Sequence, residues 1–235
     1  MTFENLVIGQ FNELAFKAAN EICERPGEKY PLMVIYGELA TGKSALLQAM
    51  ESKLQKNNSV LLYTGINFLK NYIESVKTHN TFGFEKKFLE VDVLIIDDLQ
   101  DLRNKLQTQG ILSRLLKERL LNKKQSILSS STLIQQIEDI DPRLTDIISE
   151  GLSVRIHNPS FEDRLFMVKH YALAIEISLY DDVAVFLAEH CRNGLREIIG
   201  SLIKLKAASE LLEIEINLEM VKKYLEKDYH EKNNN

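Results

Sequence analysis

The sequence predicts a doubly wound parallel α/β sheet followed by a small all-helical domain. Between residues 32 and 156, short apolar runs of strand length alternate with stretches of helical periodicity, which is the order expected of parallel strands joined by crossover helices. From residue 161 onward the pattern is helical throughout. We therefore expect an α/β domain over residues 1–158, a helical lid domain over 159–228 and a disordered polar tail over 229–235.

The predicted elements follow in chain order. Apolar residues at helical spacing predict a helix over 14–22, ended by Pro26 and Gly27. Strands are predicted at 32–36, 59–63, 93–96, 126–128 and 152–156. The helices predicted between these strands cover 45–50, 67–77, 81–89 and 108–121. Those of the second domain cover 161–174, 181–191, 195–212 and 218–227. Because the run 93–96 contains no polar residue, we expect it to be a central strand covered on both faces.

A phosphate-binding loop is predicted directly after the first strand. Residues 37–44 match G-x-x-x-x-G-K-[ST] and lead into a strong helix former, which is the strand–loop–helix context that this motif requires. The loop's N–H groups and the helix N-terminus would bind the phosphates of ATP or ADP. The candidate nucleotide-binding residues are Gly37, Glu38, Leu39, Ala40, Thr41, Gly42, Lys43 and Ser44. The simpler alternative is a glycine-rich turn that happens to precede a helix.

Two acids follow the predicted strand 93–96. A phosphate-binding loop needs an acidic residue nearby to help bind Mg²⁺, and these acids can serve that purpose. Asp97 would hold the metal through water together with the Ser44 hydroxyl, and Asp98 would orient the attacking water. Paired acids after a strand can also be a helix cap or a solvated turn. Further upstream, Val7 and Ile8 lie where an apolar segment either lines an adenine pocket or seals the edge of the sheet.

Composition limits the other functional classes. No apolar run approaches the roughly twenty residues that span a bilayer, and the N-terminus lacks a basic leader, so we expect a cytoplasmic protein without membrane contact. The two cysteines, Cys23 and Cys191, lack metal-ligand spacing. A net charge of −5 argues against a large footprint on duplex DNA.

Together, these motifs resemble the AAA+ domain of the bacterial replication initiator family DnaA. The resemblance lies in residues 2–9, 30–48, 91–100 and 193–200. It implies binding of ATP or ADP, head-to-tail assembly and contact with single-stranded DNA. It also implies that Arg196 contacts the nucleotide phosphates as a sensor; the alternative is a surface cation near a helix start, where the helix dipole disfavours it. The family's helicase-contact and helix-turn-helix domains are not found in these residues, so sequence-specific duplex binding is not expected.

Two positions depart from the family pattern. Arg143 matches the inter-subunit motif, but the family's finger arginine, four residues later, is Ile147 here. A finger arginine is typically worth about 10³–10⁵ in turnover, so self-assembly should hydrolyse ATP poorly. Ser131 replaces an acidic sensor that takes part in hydrolysis, and its hydroxyl can still hydrogen-bond water.

Lys105 matches a lysine that the family uses on single-stranded DNA, although a solvated loop charge is the commoner explanation.

The resulting hypothesis is a protein that binds ATP or ADP and regulates or joins initiation of bacterial chromosome replication through nucleotide-dependent assembly with the initiator or itself. It is similar to the stand-alone Hda type of regulator, although residues 1–10 contain no glutamine-rich clamp-binding peptide. One alternative is a slow AAA+ ATPase acting on single-stranded DNA, like a helicase loader. Another is a fragment of a full-length initiator.

Overall fold

The computed structural model describes residues 2–192 and 194–233, and only the backbone of residues 226–233. Asn193, which belongs to the motif at 193–200, and the last two tail residues lie outside the described residues. The chain forms two compact units. The sheet unit comprises residues 2–8, 12–38 and 43–157, and the helical unit comprises residues 9–11, 39–42 and the described residues from 158 onward. None of the described helices is long and apolar enough to cross a membrane.

The sheet unit is built on five parallel strands in the order β2-β3-β4-β1-β5. The strands are β1 (Leu32–Tyr36), β2 (Val60–Thr64), β3 (Val93–Asp97), β4 (Gln125–Ser130) and β5 (Leu152–Arg155). All residues of β3 and β4 are buried, as expected of strands covered on both faces. The predicted fold class, a doubly wound parallel α/β sheet followed by helices, is confirmed.

Helix α1 (Glu13–Glu24) precedes the first strand of this sheet, and the other helices of the sheet unit lie between the strands. They are α2 (Lys43–Leu54), α3 (Gly65–Lys77), α4 (Thr81–Glu90), α5 (Leu106–Leu121) and α6 (Pro142–Ser149). Helix α6 was not predicted from the sequence. Its start is nevertheless encoded locally, because the Asp141 side chain accepts a hydrogen bond from the Arg143 N–H and Pro142 occupies the first turn.

The helical unit contains α7 (Phe161–Ala174), α8 (Asp181–His190), α9 (Leu195–Leu212) and α10 (Leu218–Asn233). A capping box starts α7, in which Ser160 and Asp163 exchange side-chain and backbone hydrogen bonds. The backbone of α10 is helical up to Asn233, six residues beyond the predicted helix end and well into the segment predicted to be a disordered tail. The Lys and Glu residues there are good helix formers, which favours this extension.

The core on one face of the sheet joins α3, α4 and α5 to β3 and β4. The rings of Phe68, Phe84 and Phe88 lie 4.7–5.5 Å apart between centroids. Arg119 of α5 is fully buried beside them and donates hydrogen bonds to the carbonyls of Phe88, Val91, Asp92 and Gln125 and to the Ser126 hydroxyl. Because each donor is matched by an acceptor, this buried cation ties α4 and α5 to the beginnings of β3 and β4.

Candidate nucleotide-binding site

The predicted phosphate-binding loop lies between β1 and α2. Lys43 is the first residue of α2 and is only 5% exposed. Its Nζ donates hydrogen bonds to the carbonyls of Gly37, at 2.6 Å, and Glu38, at 2.7 Å. The ammonium is therefore fixed at the base of the loop, where a helix N-terminus adds partial positive charge.

Two loop residues adopt left-handed backbone conformations that help to fold the chain back before α2. Ala40 has φ 61° and Gly42 has φ 104°. A Cβ built on Gly42 would meet no atom within 4 Å, so the glycine is required by its backbone conformation rather than by lack of space. The sequence motif identifies this glycine, whereas nothing in the motif indicates the unusual conformation of Ala40.

Within the helical unit, the loop segment 39–42 contacts the start of α9. The Leu195 N–H donates to the Ala40 carbonyl at 3.1 Å. Gly194 has φ 84°, and a Cβ there would lie 2.2 Å from the same carbonyl oxygen. A side chain at position 194 is therefore excluded twice, by backbone conformation and by space. The packing of this loop segment depends on a glycine about 150 residues further along the chain.

The paired acids stand at the carboxyl end of β3, next to β4. Asp97 is buried and accepts a hydrogen bond from the Ser129 hydroxyl. The Asp98 N–H donates to the Ser129 oxygen at 2.9 Å, and Asp98 adopts a left-handed conformation with φ 58°. The register that pairs Ile96 with Leu128 brings the next residues of the two strands together. Ser129 is thus a site residue that the sequence analysis missed.

Gln100 forms a hydrogen bond with the second of the paired acids, Asp98. Its Nε2 donates to Asp98 Oδ1 at 2.9 Å, and its Oε1 accepts from the Ser131 N–H at 3.0 Å. Nearby, burial and repulsion from the carboxylates of Asp98 and Asp97 raise the pKa of Asp101. The C-terminal end of β3 therefore concentrates negative charge, which favours the binding of a cation.

The structure brings together the predicted elements that belong to the sheet unit. Strand β4 lies between β3 and β1, so the phosphate-binding loop, the paired acids and Ser131 follow three adjacent strands at one edge. The Gly37 N–H donates to the Ser130 carbonyl at 3.2 Å, which joins the loop to the end of β4. Strand ends that meet in this way are where ligands bind in open α/β sheets. The Ser44 hydroxyl and the Asp97 carboxylate offer the hard oxygen ligands that Mg²⁺ prefers.

The comparisons with known proteins agree with this geometry. A family model described as "Bacterial DnaA ATPAse domain" matches residues 1–155. The chain belongs to the bacterial DnaA family. Relatives include the chromosomal replication initiator protein DnaA of Borrelia garinii subsp. bavariensis, 34% identical over 227 residues that cover 95% of this chain and 47% of that protein. The chain spans about half the length of the curated relatives it matches.

Solved DnaA structures share the same fold. The crystal structure of domain III of the Thermotoga maritima replication initiation protein DnaA is 30% identical, with a TM-score of 0.92 over 97% of this chain and 96% of that one. A replication initiator DnaA bound to AMPPCP and single-stranded DNA is 28% identical, with a TM-score of 0.84 over 90% of this chain and 67% of that one. The similarity thus extends through the helical unit, beyond the residues matched by the family model.

Other DnaA-type positions are found in both units. Val7 is buried, and its carbonyl accepts a hydrogen bond from Asn12 Nδ2 at 2.9 Å, whereas Ile8 is 47% exposed. Arg196 is exposed in the first turn of α9 and forms no ion pair within the described part of the chain. Lys105 is exposed at the N-cap of α5. The structure leaves the predicted roles of Val7, Ile8, Arg196 and Lys105 as predictions.

The segment that carries the inter-subunit motif is α6. Arg143 is largely exposed, and its guanidinium binds the Asp141 carboxylate with a shortest contact of 2.6 Å. Ile147, one helical turn later, is partly buried against the hydrophobic core. The side chain at the expected finger position therefore packs inward and carries no charge, while Arg143 remains accessible on the surface.

Proposed function

We propose that this chain binds ATP or ADP with Mg²⁺ and, in the cytoplasm, regulates or takes part in initiation of chromosome replication by assembling with a DnaA-type initiator. One observation carries the proposal. In a chain of this family, the phosphate-binding loop and the paired acids converge at the carboxyl edge of one parallel sheet. The nucleotide-bound relative supports it, because that DnaA is bound to the ATP analogue AMPPCP.

Each site residue has a chemical role in this proposal. Backbone N–H groups of residues 37–44 bind the phosphates, and the buried Lys43 ammonium neutralises their charge. Ser44 and Asp97 would hold Mg²⁺, which when bound screens the negative charge of the phosphate oxygens. Asp98 orients the attacking water, and the Ser131 hydroxyl contacts that water from the end of β4. Val7 and Ile8 supply apolar contacts to the adenine.

Arginines complete the proposed site in two ways. Arg196 has no ion-pair partner among the described residues, so its guanidinium is available to the phosphates of a bound nucleotide. Arg143 contributes to head-to-tail contact with an initiator or a second copy. Because Ile147 cannot stabilise transition-state charge, hydrolysis in a self-assembly should be slower by about 10³–10⁵ than with a finger arginine.

The first test is nucleotide affinity. Lys43→Ala should weaken ATP binding at least about 100-fold, since it removes charge-assisted contacts worth about 3 kcal/mol to the phosphates. Isothermal titration with ATP and Mg²⁺ measures this change. Lys56→Ala, which removes an exposed lysine just beyond the same helix, is the matched control and should bind like the wild type. Undiminished affinity in Lys43→Ala would contradict the placement of the site.

A second candidate function is action on single-stranded DNA. Ile66, Lys70, Ile73 and Lys77 of α3 are all exposed and recur at helical spacing, so apolar and basic side chains alternate along one face. Such a face suits unstacked bases and phosphates together. The two proposals differ in what should stimulate ATP turnover: the initiator in the first, and single-stranded DNA alone in the second.

A further inference from the structure

The Gln100 side chain bridges two parts of the site that are about thirty residues apart in sequence. It lies in the 3₁₀ turn Leu99–Leu102, which follows the left-handed Asp98. Leu99 and Leu102 are fully buried and fix this turn against the core. The amide then lies within hydrogen-bond distance of both the Asp98 carboxylate, at 2.9 Å, and the Ser131 N–H, at 3.0 Å.

Only one orientation of the Gln100 amide satisfies both partners. A backbone N–H can only donate, so Ser131 must face the amide oxygen. An ionised carboxylate can only accept, so Asp98 must face the amide nitrogen. The bridge therefore needs a donor and an acceptor on one planar group. Glutamate, which has nearly the same size and shape as glutamine, offers only acceptors, and leucine, which is shorter and branched, offers neither a donor nor an acceptor.

We propose that Gln100 is a positioning residue that fixes the Asp98 carboxylate relative to the end of β4. This inference builds on the proposed function, in which Asp98 orients the attacking water and Ser131 contacts it. One oxygen of Asp98 accepts from Gln100, and the structure shows no hydrogen-bond partner for its other oxygen among the described residues. The bridge thus fixes the direction in which that second oxygen points, and it couples the position of the Asp98 side chain to that of Ser131.

Three variants separate this role from ordinary structural support. Gln100→Glu keeps the acceptor for Ser131 but loses the donor to Asp98 and adds a like charge beside it. Gln100→Leu loses both hydrogen bonds. Gln107→Glu makes the same chemical change at an exposed position in the first turn of α5 and serves as the control. A merely structural role at the Ser131 N–H predicts that Gln100→Glu behaves like the wild type.

Two readouts apply to the full chain. The first is amide hydrogen exchange at Ser131 without nucleotide: protection should persist in Gln100→Glu and be lost in Gln100→Leu. The second is ATP affinity compared with single-turnover hydrolysis of ATP bound to the protein, with protein in excess over ATP and with the initiator of the same organism added to supply the finger arginine. ATP affinity should change less than about twofold in both Gln100 variants. Hydrolysis should fall about 10–100-fold in both variants, which is the scale expected when a reacting group is misplaced.

The outcomes separate this inference from the proposed function. If the wild type fails to bind ATP, the proposed function fails, and Ser131 exchange alone then decides whether the bridge exists. If the wild type binds and hydrolyses ATP but Gln100→Glu hydrolyses it equally fast, the positioning role is overturned. Unchanged Ser131 exchange in Gln100→Leu would also overturn it, whether or not the wild type hydrolyses ATP.

Discussion

At the scale of single residues, the acids of the sheet unit are fixed by specific donors. Ser129 contacts Asp97, Gln100 contacts Asp98, and the Arg143 side chain and N–H contact Asp141. Lys43, Asp97 and Asp98 can be predicted from the sequence alone, because each lies in a short motif that is continuous in sequence. Ser129 and Gln100 were missed as donors, because only the β3–β4 register and the 3₁₀ turn bring them close to the acids. Polar residues at the end of an otherwise apolar strand, as in 129–131, were the one available signal.

Asp141 gives a pH-dependent prediction. Hydrogen bonds from the Arg143 side chain hold the pKa of Asp141 below its ordinary value of 3.8. A lowered folded-state pKa contributes stability above the unfolded-state pKa, and this stability is lost as the pH falls through the folded-state pKa. Asp141→Ala should cost about 1 kcal/mol at pH 7, because α6 also loses its N-cap.

Asp141→Asn is the matched control, since asparagine caps helices about as well as aspartate but carries no charge. Urea denaturation from pH 7 to pH 3 should show a stability difference between the wild type and Asp141→Asn that shrinks as the pH falls below about 4. A difference that stays constant over this range would show that the Asp141 charge does not contribute.

At the scale of elements, the predicted strands and most predicted helices agree with the structure to within a few residues, because hydrophobic periodicity reports burial directly. The omission of α6 was avoidable, since an aspartate followed by proline is a helix start signal. The assignment of residues 39–42 and 9–11 to the helical unit had no sequence signal. It depends on tertiary contacts such as that between Leu195 and Ala40.

Gly194 tests that contact at the start of α9. Gly194→Ala should destabilise the protein by about 1–3 kcal/mol, since a Cβ would clash with the Ala40 carbonyl and the backbone conformation favours glycine. Gly200→Ala in the same helix, where a Cβ would meet nothing within 4 Å, should be neutral or stabilising by up to about 1 kcal/mol. Thermal and urea denaturation of both variants measures this difference, and equal effects would refute the proposed clash.

For the molecule as a whole, we propose that a DnaA-type nucleotide site is combined with an incomplete hydrolytic apparatus. The sheet unit carries Lys43 and Ser44 of the phosphate-binding loop, the paired acids and Arg143, while Ile147 packs toward the core at the expected finger position. The sequence predicted this departure because the motif around Arg143 fixes the spacing. The protein that supplies the missing arginine could not be predicted from this sequence, because its identity depends on the surface of the partner.

We propose that this chain binds ATP but needs another protein's arginine to hydrolyse it. The direct measurement is ATP turnover by the purified protein alone, with single-stranded DNA, and with the initiator of the same organism. We predict turnover near background alone and a clear rise with the initiator, and this rise should be absent when Lys43→Ala replaces the wild type. Brisk turnover by the protein alone would contradict the account, because it would mean that a group other than residue 147 acts as the finger.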